Sequence, residues 1–255
     1  MDFHNKENRW SYSTREADPV WVEKIRELND PAGKDVLDIG CGGGIYTKAL
    51  ADMGAAHVTG VDFSEPLLQS AQEKMSAYTN VNFHLGDAQA THLPSASYDF
   101  ILERAVIHHL KDLNPCFEEA FRLLQPGGAY LIQDRTPEDC LLEGTPTHIR
   151  GYFFEKFPRL AERETARRHS REKVVKGLEE AGFQQVQAHE FWEVRKTYQT
   201  VQELKEDLLN RTGRSILHEL TDDELYVLVD EMSEKIGFKG PIQEKDRWTI
   251  WKAVK

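Results

Sequence analysis

A chain of 255 residues, 40% apolar and 29% charged, is long enough for one large soluble domain or one domain with a sizeable insertion. Its 43 acidic and 32 basic side chains give a net charge of −11, which argues against a general nucleic-acid binder with its basic patch or high pI. Three cysteines without CxxC spacing, Cys41, Cys116 and Cys140, argue against a disulfide framework or a structural zinc site. They fit a reducing, cytoplasmic compartment. Met1–Lys6 lacks an apolar signal region, and no run approaches membrane-spanning length.

In chain order, residues 1–17 are polar apart from Trp10 and Tyr12, which read as packing residues on the outside of the domain. Asp18-Pro19 starts a helix, with proline pre-set for the first turn, and Val20, Trp21, Ile25 and Leu28 recur at helical spacing. Val36, Leu37 and Ile39 then form a short buried strand, with Asp38 at its carboxyl end and glycines at 40, 42 and 44 immediately after. Ile45–Met53 reads as a helix closed by Gly54.

Glycines in a strand–loop–helix allow a tight turn and let a nucleotide-bearing ligand lie against the backbone. The spacing is G-x-G-x-G; the dinucleotide fingerprint would want glycine where Ile45 stands. Asp38, two residues before the first glycine, would repel a pyrophosphate but tolerate a ligand with a cationic centre and no phosphate. S-adenosylmethionine is such a ligand. After this strand comes a second, Ala56–Asp62, ending in an acid 22 residues after Gly40, the interval at which a carboxylate reaches a ribose diol from the neighbouring strand. Ser64, followed by Glu65 and Pro66, is the expected cap of the next helix, which would leave Asp62 free for the ribose.

The acid-x-Gly-x-Gly-x-Gly loop resembles the first motif of the class I S-adenosylmethionine-dependent methyltransferases, and within them the small-molecule enzymes related to the ubiquinone/menaquinone C-methyltransferases. The resemblance covers roughly residues 30–135. It implies an α/β fold: a Rossmann-like, seven-stranded, mostly parallel sheet with an antiparallel last strand, helices on both faces, and a helical cap insertion. It implies S-adenosyl-L-methionine as cofactor, with Asp38, Gly40, Gly42, Gly44, Asp62 and Phe63 among its contacts. An acid after the third strand, matched by Asp87 in Val81–Ala88, would accept from the adenine amino group, with the Ala88 amide against the ring. Residues after the fourth strand, Ala96–Glu103, would lie beside the reactive methyl, which draws in Glu103, Arg104, His108 and His109. The resemblance also offers Trp10 and Tyr12 a second role, in a lid over the cofactor.

Histidine is the usual base near neutral pH, but neighbours in a helix do not share a face, so at most one of His108 and His109 is expected to point into the site. A structural role weighs at least as much, and no catalytic residue is assigned. Asn114-Pro115 starts an amphipathic helix stopped by Gln125–Gly128, whose Pro-Gly-Gly turn leads into the strand Ala129–Asp134 with a structural role. Residues 136–168 show no clear pattern, and the arginines from Arg159 to Arg171 read as a solvated helix face with Glu162, Glu164 and Glu172 as partners. Ser170–Ala181 is a helix, Phe183–Val194 a strand, Val201–Ile236 helical, and Arg247–Val254 a closing strand. The chain reads as a single domain, 1–255, with a helical insertion at 197–240 capping the crevice. The expected reaction is methyl transfer to a small-molecule acceptor by a monomer or homodimer, with no nucleic acid, metal or membrane span. A non-catalytic S-adenosylmethionine binder and, further off, a nicotinamide-dependent oxidoreductase are the alternatives.

Overall fold

The computed structural model describes residues 16–237 and 240–255, so Trp10 and Tyr12 lie outside the described residues. Seven strands, β1 (Asp35–Ile39), β2 (His57–Asp62), β3 (Val81–Leu85), β4 (Tyr98–Arg104), β5 (Leu124–Asp134), β6 (Gln184–Tyr198) and β7 (Ile242–Val254), form one sheet. Its order is β3-β2-β1-β4-β5-β7-β6. β1 is central: it pairs in parallel with β2 on one side and β4 on the other, and Val36, Leu37 and Ile39 are fully buried. Such a strand reads as an apolar run because helices cover both faces of a parallel sheet. β7 runs antiparallel to β5, from Ala129 opposite Val254 to Asp134 opposite Thr249, as expected of the last strand. The chain builds outward from β1 to β3 and then crosses to β4, so the order reverses between β1 and β4. That reversal opens a crevice at the carboxyl ends of these strands.

The chain divides into two compact units. The larger comprises the described residues up to Asp134, with His169–Glu190 and Thr249–Lys255. Its helices are α1 (Pro19–Asn29), α2 (Ile45–Asp52), α3 (Glu65–Lys74), α4 (Asn114–Leu123) and, later in the chain, one over Arg171–Glu180. Asp18 caps α1 through the Val20 amide, with Pro19 in the first turn. Leu37, Ile101, Phe117, Leu123, Tyr130, Ile132 and Trp251 make the core. The Pro-Gly-Gly segment does not break the fifth strand: β5 is extended from Leu124, and the irregularity appears as a register shift opposite Tyr98 and Phe100.

The smaller unit comprises Arg135–Arg168 and Phe191–Trp248. The stretch 136–168 is not irregular: it holds α5 (Pro137–Cys140), α6 (Arg150–Lys156) and α7 (Pro158–Thr165), and the Arg171–Glu180 helix of the larger unit is α8. These three helices have only 4, 7 and 8 residues, too short for a 3.6-residue repeat to show. The expected 201–236 helical run is α9 (Val201–Leu209), a short 3-10 turn, and α10 (Asp222–Ile236), which starts with a Thr221/Glu224 capping box. Phe153, Leu160, Tyr198, Leu208, Leu217, Leu225 and Val229 pack as its core. Arg159 and Arg163 form surface pairs with Glu224 and Glu219, as a solvated face requires. Glu164 and Arg168 depart from that expectation. Both are buried, and Glu164 gathers Arg150, Arg167 and Arg168 around one carboxylate.

Candidate functional site

The β1–α2 loop is built from left-handed backbone. Gly40 has φ +71°, and Gly44, which begins α2, has φ +80°. A Cβ on Gly40 would sit 2.2 Å from Val106 Cγ2, so the turn after β4 closes directly on this glycine. The Gly40 and Cys41 amides donate to the Val61 carbonyl at 2.7 and 3.0 Å, tying the loop to the end of β2. Asp38 lies beneath the loop, buried, and accepts a 2.6 Å hydrogen bond from Thr47 Oγ1 of α2. Burial pushes its carboxyl up to about 7, although the Thr47 hydroxyl and the Arg104 charge pull the other way.

Asp62 ends β2 beside the same loop. Its carboxylate accepts from the Gly42 amide and from the Ser64 amide, both at 2.8 Å. Ser64 itself makes no side-chain capping bond for α3. The expectation that Ser64 would do the capping and leave Asp62 free is therefore corrected: Asp62 joins the glycine loop to the start of α3. The reason is geometric, since a carboxylate at a strand end lies within reach of amides from both neighbouring loops. Burial raises its carboxyl, and the backbone amides of Ser64, Gly42 and Phe63 oppose that shift. Phe63, the next residue, is 53% exposed, and Leu85, paired with Asp62 across β2–β3, is exposed as well. Asp87 is also exposed; its Oδ1 accepts from the Gln89 amide at 2.8 Å, and Ala88 beside it is half-buried.

Glu103 and Arg104 diverge. Glu103 is fully buried and takes hydrogen bonds from the Tyr130 hydroxyl and, at 3.2 Å, from Cys116 Sγ; burial pushes its carboxyl up to about 7. It lies in the core rather than at a ligand surface. Arg104 places its guanidinium 4.2 Å from the Tyr46 ring centroid, and Tyr46 lies 4.7 Å from Trp21, whose indole donates to Gln133 at 2.7 Å.

Past β4, Ala105 adopts φ +58°, rare for a residue with a Cβ, and the chain turns into a 3-10 segment at Ile107–His109. His169 Nε2 donates to the Ile107 and Leu110 carbonyls at 3.0 and 2.8 Å and holds the turn. His108 Nδ1 lies 2.8 Å from Asp134 Oδ2 at the end of β5, and the His108 backbone amide donates to the same oxygen at 3.2 Å. The two histidines do not diverge as an α-helix would make them. In this tighter turn their rings lie 4.0 Å apart, with His109 exposed. Asp134 is the residue sequence reasoning missed. Nothing local marks it; only the parallel pairing of β4 with β5 brings it to His108.

Residues 37–132, which carry the glycine loop, both strand-end acids and the histidine turn, match the methyltransferase domain family. This match and the strand order give the segment the fold of the class I methyltransferases. The chain is 28% identical over 236 residues to phosphoethanolamine N-methyltransferase 1 of Triticum aestivum, covering 91% of the chain and 44% of that protein. It is 35% identical over 128 residues to the ubiquinone biosynthesis O-methyltransferase of Pseudomonas fluorescens, covering 48% of the chain and 54% of the relative. The chain thus spans about half the length of these two relatives. Among solved structures, a protein named as a methyltransferase from an antibiotic biosynthesis pathway of Anabaena variabilis superposes with a TM-score of 0.71 at 22% identity, over 93% of this chain and 98% of that one. The Haemonchus contortus phosphoethanolamine N-methyltransferase 2, in complex with phosphomonomethylethanolamine and S-adenosylhomocysteine, gives 0.62 at 19% identity, over 100% and 60%. At these identities the structural likeness establishes the fold of the methyltransferase family. Among the described residues no helix is long and apolar enough to cross a membrane.

Proposed function

We propose that the chain transfers a methyl group from S-adenosylmethionine to a small-molecule acceptor by direct in-line displacement. The observation that carries this reading is the left-handed glycine loop, sealed by Asp62 above a buried Asp38, within a segment that matches methyltransferase domains. In this reading Gly40, Gly42 and Gly44 give the donor backbone to lie against, and Asp38 supplies negative charge for its cationic part. Asp62 offers its carboxylate to the ribose diol from its post at the loop. The exposed Phe63 and the Ala88 amide flank the adenine, whose amino group donates to Asp87. Arg104 orders the Tyr46 ring beside the loop, and Glu103 supports the strand end from the interior. The acidic net charge and three free, buried cysteines support a cytoplasmic protein acting without nucleic acid.

Isothermal titration tests the cofactor directly. S-adenosylmethionine and S-adenosylhomocysteine should each bind at a single site, with no saturable NAD binding at comparable concentration; tight NAD binding with no response to the adenosyl ligands would sink the reading. Asp62→Ala should weaken S-adenosylmethionine by roughly 1–3 kcal/mol, because buried hydroxyls and two backbone amides lose their acceptor. Unchanged affinity would leave Asp62 as a loop tie only.

The state of Asp38 makes binding depend on pH. With its carboxyl near 7 rather than the ordinary 3.8, it is charged at pH 8 and mostly protonated at pH 6. A cationic ligand favours the charged form, so binding expels a proton, and affinity for S-adenosylmethionine should fall between pH 8 and pH 6 by up to about tenfold per unit below 7. Asp38→Asn should bind more weakly at pH 8 and lose this dependence. Equal wild-type affinity at the two pH values would remove Asp38 from the site.

A further inference from the structure

We propose that Glu119 of α4 is a positioning residue for base recognition. Through Thr91 it fixes the loop that carries Asp87 and Ala88, and so selects a purine with a 6-amino group over one with a 6-oxo group. The inference rests on the methyl-transfer reading, in which that loop meets the adenine, and adds a residue and a specificity to it. The loop leaves β3 at Gly86 and runs to Thr91. At its start the Gly86 amide donates to the Asp62 carbonyl at 3.0 Å, which ties this end to the residue assigned to the ribose. At its far end Thr91 is buried and gives both of its donors to Glu119 Oε1, the amide at 2.8 Å and the hydroxyl at 2.5 Å. Between these ends the loop folds on itself. The Ala90 amide donates to the Asp87 carbonyl at 3.0 Å, and the Gln89 amide donates to Asp87 Oδ1 at 2.8 Å. A Cβ on Gly86 would stand 3.4 Å from the Thr91 carbonyl oxygen.

The Glu119 side chain is 9% exposed, and Arg122 holds its carboxylate with Nε on Oε2 and Nη2 on Oε1, each at 2.8 Å. An i,i+3 pair that served only the helix would need no partner from a loop 28 residues away. A buried carboxylate needs donors on both oxygens, and Arg122 and Thr91 supply them. Burial would raise the carboxyl, but the Arg122 guanidinium and the Thr91 donors hold it down to about 2, so the acceptor is charged near neutral pH. A second tether runs the same way, from Gln89 Nε2 to the Asp112 carbonyl just ahead of α4, at 3.4 Å. The loop is held between the end of β2 and α4, with Asp87 exposed in between. That arrangement has a chemical consequence. Adenine presents an amino group at C6 and an acceptor at N1; hypoxanthine presents an oxygen at C6 and a hydrogen on N1. A loop free to shift from one ring position to the next would accommodate either base, offering the Asp87 carboxylate to whichever atom bears hydrogen. A loop clamped at both ends keeps the carboxylate opposite C6, where a 6-oxo group meets it as one acceptor facing another.

Titration of the intact chain with S-adenosylhomocysteine and S-inosylhomocysteine, which differ only at that edge of the base, tests the assignment. Wild type should bind the adenosyl compound about tenfold or more tightly than the inosyl one. Glu119→Gln should bring the ratio of the two dissociation constants down to about threefold or less, chiefly by weakening the adenosyl compound. Thr91→Val should lower the ratio as well, and Thr91→Ser, which keeps the hydroxyl, should recover it. Both ligands see the same folded fraction, so a variant that is only less stable loses them in equal proportion and leaves the ratio where it was. A wild-type ratio in Glu119→Gln overturns the proposal, and so does a ratio in Thr91→Ser as low as in Thr91→Val. If Glu119→Gln does not fold, the two threonine variants decide by the same ratio. If wild type binds both compounds equally well, Asp87 does not read the base, and the proposal falls while methyl transfer stands. If wild type binds neither of them, nor S-adenosylmethionine, the methyl-transfer reading fails and takes the proposal with it.

Discussion

Glu164→Ala is expected to destabilise the smaller unit by about 3–5 kcal/mol, the cost of removing one partner from a buried ion cluster. Glu164 is fully buried in α7 with Arg168 Nη2 at 2.5 Å, Arg150 Nη1 at 3.5 Å and Arg167 also on its carboxylate. Alanine would leave three guanidinium groups facing one another without their common counter-ion. Hydrogen exchange of α6 and α7 amides in urea reads the effect locally; a loss under about 1 kcal/mol would mean that the arginines redistribute to other acceptors. The surrounding arginines, Arg150 foremost, hold the Glu164 carboxyl well below the ordinary 4.5 despite its burial. Its folded pKa is depressed, so its contribution is present above about pH 4.5 and is lost as pH falls towards the folded value. Glu103 has the opposite sign. Its folded carboxyl near 7 exceeds the unfolded 4.5, so its contribution is complete below 4.5 and lost as pH rises through 7. Glu103→Gln should flatten that decline in the melting temperature between about pH 4.5 and 7, and an unchanged slope would show that other groups cause it.

Gly40→Val is expected to weaken cofactor binding strongly while leaving the rest of the sheet folded. Its φ of +71° penalises a β-branched side chain by about 1–3 kcal/mol, and Val106 occupies the space the new Cβ needs. Every 1.4 kcal/mol is tenfold in affinity, so if the loop must adopt this backbone to bind, S-adenosylmethionine should bind about fivefold to a hundredfold more weakly. Gly33→Ala separates strain from site. That glycine has a comparable φ of +73° with nothing within 4 Å of its would-be Cβ, so it should cost some stability and leave titration with S-adenosylmethionine unchanged. Equal binding losses in both variants would mean that global destabilisation, not the loop, governs affinity.

The residues whose local pattern dictates their structure were legible in the sequence. The buried run of β1, the glycines that permit left-handed turns, and Asp18-Pro19 at the start of α1 each act within a few positions, so no long-range contact can override them. The antiparallel β7 followed from the resemblance and stands beside β5. What sequence could not give was pairing across the sheet. His108 and Asp134 are 26 residues apart and meet because β4 and β5 lie side by side. Ser64 is the better cap by residue type, yet the amides of Gly42 and Ser64 both converge on the Asp62 carboxylate. Glu103 carried a signal that a strand-end rule hides. Strand side chains alternate, so it shares a face with Ile101, which belongs to the core with Tyr130 and Phe117. α-Helical spacing separates His108 from His109, and a 3-10 turn has different neighbours.

Methyl transfer itself is the most direct test. The intact chain is incubated with methyl-labelled S-adenosylmethionine and a mixture of small hydroxyl-, amine- and acidic-carbon-bearing metabolites, and both products are followed by mass. The predicted result is S-adenosylhomocysteine formed in equal amount with one labelled small molecule, with both reduced in Gly40→Val at sub-saturating donor. Saturable binding of S-adenosylmethionine without any labelled product across all three acceptor types would contradict the assignment and leave a binding protein in its place.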